Sequence, residues 1–267
     1  MSISRFFSVY VKSSLHSHAL SAFNFVLVLF AFCASGTMAS AQAAYVQQCS
    51  SYGDYVETAS CTLSGVGAGH ALMIGVYVSG TLTPTITSSS GTPSSVISNL
   101  ADYQGEMDTD ILANTASGNI TITATTSSYT NIWISVSEYS GVATSPLDTS
   151  ATASEVGGWD STSVVSANFT TTAADDMLWS MCYGIPSYVS WSAGTAPITW
   201  TAANSYSASG VIAEYGLAGA AGTYYGQCNS AITNGGAEQA SIMTVALKAS
   251  TNTVATPTFS PAAGTYA

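Results

Sequence analysis

The sequence predicts an all-β protein, an antiparallel two-sheet β-sandwich supported by disulfides. Three observations carry that expectation. Apolar residues recur at every second position in run after run, as in Leu72, Ile74, Val76 and Val78, and no stretch between Tyr45 and Lys248 has a convincing helical period. The runs are short and are separated by clusters of Gly, Ser, Thr and Asn, such as 65–69, 88–93 and 216–222. Four cysteines, Cys49, Cys61, Cys182 and Cys228, remain once an N-terminal leader is set aside.

Residues 1–41 read as a secretory signal peptide. Arg5 and Lys12 give a positive start, residues 23–32 are apolar except for Asn24, and Ala39-Ser40-Ala41 is a small-x-small cleavage site. The apolar run falls short of the roughly 20 residues that a membrane span needs. Processing leaves Lys248 as the one Lys or Arg against 14 acids, a difference of −13. Such a chain repels phosphate backbones and anionic lipid, so no nucleic-acid partner and no membrane association after cleavage are expected. The expected location is secreted or cell surface. Only 6% of residues are charged, so the polar surface has to be built from Ser, Thr, Asn, Gly and Tyr.

The chain is organised around residues 130–148. Ile132, Ile134, Val136 and Glu138 fall on one face of a strand, and Trp133, Ser135, Ser137 and Tyr139 on the other. One apolar and one mixed face call for a second sheet packed over the strand. Ser140-Gly141 ends the alternation, and Pro146 closes a short connection to the next run. Further strands are expected at 55–63, 94–100, 119–125, 163–170, 177–183, 198–202, 209–215, 223–228 and 240–248. About 205 residues in one domain is large for an immunoglobulin-like sandwich and suits a jelly-roll or lectin-like one. Four cysteines allow three connectivities. Cys49–Cys61 as a local hairpin clamp and Cys182–Cys228 as a tie between later strands are the favoured pairs, and a zinc site fails for want of a Cys-x-x-Cys and of histidines beyond His70.

Residues 68–76 and 174–182 echo each other as a tight turn and a filled strand, and each is followed later by Glu-Tyr, at Glu138-Tyr139 and Glu214-Tyr215. The spacings differ, so duplication competes with shared strand chemistry. Ala68-Gly69, Glu138-Tyr-Ser-Gly-Val-Ala143 with Pro146-Leu-Asp148, Thr171-Thr-Ala-Ala-Asp175 and Ala246-Leu-Lys248 together resemble uncharacterised domains of exported bacterial proteins, which are taken to be lectin-like sandwiches. That resemblance implies a fold and a surface context rather than a reaction. Beyond a polar linker at 250–256, Pro257, Phe259, Pro261, Gly264 and Tyr266 resemble the opening of the domain at the C-terminus of chitobiase and β-hexosaminidase. It implies that 257–267 begin a second sandwich, with further domains C-terminal to it.

Several constellations could carry chemistry. Glu138 and Glu214, if brought together, would suit a polysaccharide hydrolase, whose two carboxyls stand about 5–9.5 Å apart. The competing reading makes each a hydrogen-bond acceptor that locks a corner. Asp108 and Asp110, alternating in an acidic loop, could offer oxygen ligands to Ca²⁺; no other cofactor is implied. A Ser-His-Asp triad would have to use His70, and no Gly-x-Ser-x-Gly elbow accompanies it. Trp159, Tyr188, Tyr224 and Tyr225 lie in or beside Gly-rich turns, where flat rings can stack on sugars, whereas Trp191 and Trp200 could equally fill the core. The reading is a non-catalytic carbohydrate-binding or adhesive module whose partner is a polysaccharide or glycan surface. The alternatives are a hydrolase using Glu138 and Glu214, or a structural spacer.

Overall fold

A computed structural model describes residues 42–102, 104–156, 163–184, 190–206, 210–231 and 239–251. Residues 1–41, expected to be a signal peptide, and the segment from 252 onward, with the expected second sandwich at 257–267, lie outside them. The described residues form strands: β1 (Ala44–Val66), β2 (Ala71–Ser79), β3 (Thr85–Ser88), β4 (Ser94–Asp102), β5 (Gly105–Leu112), β6 (Gly118–Ser140), β7 (Val142–Val156) and β8 (Ser163–Val165) in the first part. The chain continues with β9 (Phe169–Thr170), β10 (Met177–Gly184), β11 (Ser190–Ala193), β12 (Thr201–Tyr206), β13 (Val211–Leu217), β14 (Thr223–Tyr224), β15 (Gln227–Ala231) and β16 (Ala240–Ala249).

Two antiparallel sheets form the sandwich. The first runs β1-β6-β2-β5-β4, with β3 added to the early part of β6, and the second runs β12-β13-β10-β16-β7. Central β2 lies over central β10, while β1 meets β12 and β4 meets β7 at the sides. Between them Met73, Tyr77, Met107, Trp133 and Tyr139 pack on Trp179, Met181, Tyr183, Met243 and Val245. Gly75 faces this core. A Cβ there would stand 2.4 Å from Met181 Sδ and 2.7 Å from the Trp179 ring, so the glycine leaves room for two large side chains of the opposite sheet.

The strands are apolar on both faces, so each sheet also needs cover on its outward side. For the first sheet the cover is its own continuation. Leu72, Ile74, Val76, Ile132, Ile134 and Val136 pack against Ala59, Cys61, Leu63, Ile120, Ile122 and Ala124, which come from the later half of β1 and the early half of β6. Cys49 and Cys61 lie 12 residues apart on β1, yet their Cα atoms are 5.9 Å apart and the two are bonded. A straight strand would separate them by about 40 Å. The β1/β6 ribbon therefore doubles back on itself. The bend sits where the pairing register slips, between Gly53 and Val56 and between Val56 and Thr58. Tyr55 adopts φ 52° there, and a Cβ on Gly53 would lie 2.3 Å from Val56 Cγ2, so the inside of the bend admits only glycine.

The second sheet is covered by two small sheets, β11-β15-β8 and β14-β9. Cys182, Ile212 and Ile242 pack under Val164, Trp191 and Cys228, and Leu178 and Ala246 under Phe169 and Trp200. Cys182–Cys228 joins β10 of the sandwich to β15 of its cover. Both favoured disulfides are thus present, and each fastens an inner sheet to its outer layer.

Several local expectations need correction. The strand at 130–140 is buried on both faces, because the folded-back ribbon supplies a layer that residue pattern alone does not announce. It is also continuous with 118–125. The expected connection after Ser140 shrinks to Gly141, at φ 66°, and β7 runs straight through Pro146. Proline is tolerated because β7 is an edge strand. The acidic stretch 105–112 is a strand rather than a loop, since Met107, Thr109 and Ile111 alternate into the interior. Runs 163–170 and 223–228 each split in two, and 198–202 shifts to β12. The two Glu-Tyr steps differ in register: Glu138 pairs with the second residue of β2 and Glu214 with the fourth of β10.

Loss of either disulfide should loosen one cover layer. Replacing Cys49 and Cys61 by Ala is expected to lower unfolding free energy by about 3 kcal/mol, and replacing Cys182 and Cys228 by about 4 kcal/mol, because the second closes the longer loop. Urea titrations of the two double variants check both values.

Candidate functional site

The two glutamates are not brought together. Tyr139 and Tyr215, the residues that follow them, both turn inward and meet with ring centroids 6.3 Å apart, and Tyr45 stacks on Tyr215 at 4.3 Å. In a strand, neighbours point to opposite faces. Glu138 and Glu214 therefore point outward from opposite sides of the sandwich, each under its own cover layer. An acid and a nucleophile or base acting on one bond cannot be drawn from this pair.

Each glutamate instead holds its layer. Glu138 is fully buried. Its Oε1 accepts the Gly67 amide at 2.9 Å and lies 2.5 Å from His70 Nδ1, and its Oε2 accepts Gln47 Nε2 at 2.6 Å. The same Gln47 nitrogen donates to the Ser64 carbonyl at 2.9 Å. One carboxylate thus ties early β1, the returning end of β1 and the turn into β2. His70, the only histidine among the described residues, is used in this corner. Glu214 is also fully buried; its Oε2 accepts the Gly194 amide at 2.9 Å, while Oε1 is buried without a partner. Burial pushes its carboxyl up to about 8, against the lowering effect of the Gly194 bond, so it is largely neutral at pH 7.

Asp108 and Asp110 alternate on β5 and share the outward face with Glu106. Both are buried. Asp108 Oδ1 accepts the Asn99 amide at 3.1 Å, and burial pushes this carboxyl up to about 6. Burial also raises Asp110, opposed by a bond from Ser95. Among the described residues no three His, Cys, Asp or Glu side chains are grouped to hold a metal ion.

Of the aromatic candidates, Trp159 and Tyr188 lie outside the described residues. Tyr224 is half-buried, and its hydroxyl donates to the Ala220 carbonyl at 2.7 Å. Tyr225 is half-buried beside it. Trp191 and Trp200 are core, with their indole N–H groups given to the Gly210 and Ala196 carbonyls. The open aromatic surface is elsewhere, at the ribbon bend. Tyr55 and Tyr129 are 72% and 58% exposed and stack with centroids 5.5 Å apart and planes 25° apart. The Tyr55 amide donates to Asn131 Oδ1 at 2.9 Å, which fixes its left-handed backbone. Beside them Tyr52 stacks on Trp133 at 4.6 Å and bonds Asp54 at 3.1 Å. The sequence signal for this cluster is Tyr52-Gly-Asp-Tyr55, an aromatic pair around a turn dipeptide just ahead of the expected strand 55–63.

No family model matches this chain, and no curated protein matches it either. No helix among the described residues is long and apolar enough to cross a membrane.

Two outcomes follow from the glutamates. Glu138→Ala strips the Gly67 amide, Gln47 and His70 of their shared acceptor and is expected to cost about 3 kcal/mol or more in a urea titration. Glu214 binds its proton more tightly folded than unfolded. Its contribution is fully present below about pH 4.5 and is lost as pH climbs toward 8. Thermal melts across that window should show a downward slope that Glu214→Gln makes shallower.

Proposed function

We propose that this chain is an exported, non-catalytic sandwich module that binds a neutral carbohydrate surface, and that the tyrosines at the ribbon bend form the contact. The observation that supports this reading is the exposed, mutually stacked pair Tyr55 and Tyr129, anchored by Asn131 and flanked by Tyr52 and Asp54. Aromatic faces suit the apolar faces of pyranose rings, and a nearby carboxylate and amide suit sugar hydroxyls. The acidic balance of the chain disfavours an anionic glycan. Two disulfides are consistent with an extracellular location. The leader-like residues 1–41 and the resemblance to exported lectin-like domains support the same reading.

The test is retention of the protein on neutral polysaccharides and a glycan array, with and without Ca²⁺. Tyr55→Ala and Tyr129→Ala should each weaken retention about tenfold, the value of one lost ring stack, with unchanged melting. Binding that survives both changes but disappears with Trp159→Ala would move the contact to Trp159. Release of reducing ends from the retained polymer would contradict the non-catalytic reading.

A further inference from the structure

Lys248 is the sole Lys or Arg among the described residues, and it does not stand on open surface. It lies on β16 next to β7, where the register skips: Ala246 pairs with Thr149, Leu247 with Leu147 and Ala249 with Val142. The skip sets Lys248 beside Asp148, with Nζ 3.5 Å from Oδ1. The Asp148 side chain is 1% exposed, and Lys248, at 40%, reaches it from the rim. Thr172 grips the same carboxyl from both ends, its amide 2.6 Å from Oδ2 and its hydroxyl 2.6 Å from Oδ1. A second acid, Asp176, is fully buried against this group and accepts the Ala249 amide at 3.4 Å. Burial and the neighbouring Asp148 push its carboxyl up to about 7, whereas Asp148, against the raising effect of burial, is held below the usual range by its Thr172 bonds, by Asp176 and by Lys248.

A surface ion pair needs neither a buried second acid nor a carboxyl clamped by two donors. Amide formation uses both. We propose that Lys248 and Asp148 become joined by an isopeptide bond that the folded chain makes for itself, with Asp176 as proton carrier and Thr172 positioning the reacting carboxyl. The ammonium first passes one proton to the carboxylate, which leaves a neutral amine and a carboxylic acid. The amine lone pair attacks Asp148 Cγ, and the Thr172 amide supports the oxygen on which negative charge develops. Asp176 gives its proton to the departing hydroxyl and takes back the second proton from Nζ. The C–N bond forms, one C–O bond breaks, water leaves, and Asp176 ends as it began; no oxidant, reductant or metal takes part. Holding amine and carboxyl in contact supplies the effective concentration that the reaction lacks in solution. The product would bind β16, the last described strand, covalently to β7.

The experiment is intact mass measurement of the denatured, disulfide-reduced exported chain, beside Lys248→Arg, which keeps the positive charge but forms no such bond. The wild type should be lighter than its sequence by one water, and Lys248→Arg should not. Beyond Arg5 and Lys12, Lys248 is the only trypsin site. Denatured wild-type chain should therefore resist cleavage after 248, and Lys248→Arg should be cut there. Asp176→Asn should leave most molecules at full mass after the wild type has reacted completely. A wild type at full sequence mass that trypsin cuts completely after Lys248 overturns the proposal and leaves an ion pair. A one-water deficit that persists in Lys248→Arg overturns it as well, since the loss then lies elsewhere.

Discussion

A bond between two cysteines of one strand, 12 residues apart, is possible only if the strand returns over itself. Much of the first half of the molecule depends on that constraint. The return brings Ala59, Cys61 and Leu63 over Ile134 and Val136, and makes β6 accompany β1 through the same bend. It explains why residues 132–139 of β6 can be apolar on one face and aromatic on the other, with neither face wet. It also places Tyr52, Tyr55 and Tyr129 at the outside of the fold-over, where backbone geometry rather than core packing positions them.

The second half reaches the same end with different parts. Its outer layer is made of separate short strands, and the bond from Cys182 to Cys228 crosses from one layer to the next. Each half keeps one fully buried glutamate beneath its cover. Glu138 has all its neighbours satisfied, whereas Glu214 keeps one oxygen unpartnered and is held largely neutral near pH 7. Many carboxyls of this acidic chain are thus spent on internal corners. The outer surface is built from hydroxyls, as in the rungs Ser60–Thr123 and Thr62–Thr121 of the doubled ribbon. A surface of that kind offers ligands hydrogen bonds and rings rather than charge.

The fold class was legible because period-two alternation and turn residues are local signals. The disulfide pairing was legible because the short loop favours Cys49–Cys61, which leaves Cys182 for Cys228. Layer number was not, since a strand of 23 residues that folds back carries the same alternation as a straight one; only Gly53 and the Cys49–Cys61 spacing hint at the bend. Asp108 and Asp110 misled because charge suggests a loop, while their partners Met107, Thr109 and Ile111 decide the strand. The glutamates were legible as corner-locking acceptors, since each accepts a turn amide. A paired acid and base was not to be had, because the tyrosines that follow them use the shared interior and the carboxyls face apart. Trp191 and Trp200 went to the core, and the exposed rings came from positions at or beside the ends of expected strands, Tyr55 and Tyr129, rather than from the Gly-rich turns.

The doubled ribbon is the claim on which the architecture and the proposed contact both rest. Amide hydrogen exchange with and without selective reduction of Cys49–Cys61 tests it most directly. Release of the staple should speed exchange in 56–66 and 118–126 and, through lost cover, in 132–138, while β10, β13 and β16 keep their protection. Unchanged protection of the ribbon, or equal loosening of both sheets, would contradict a layer that depends on that bond.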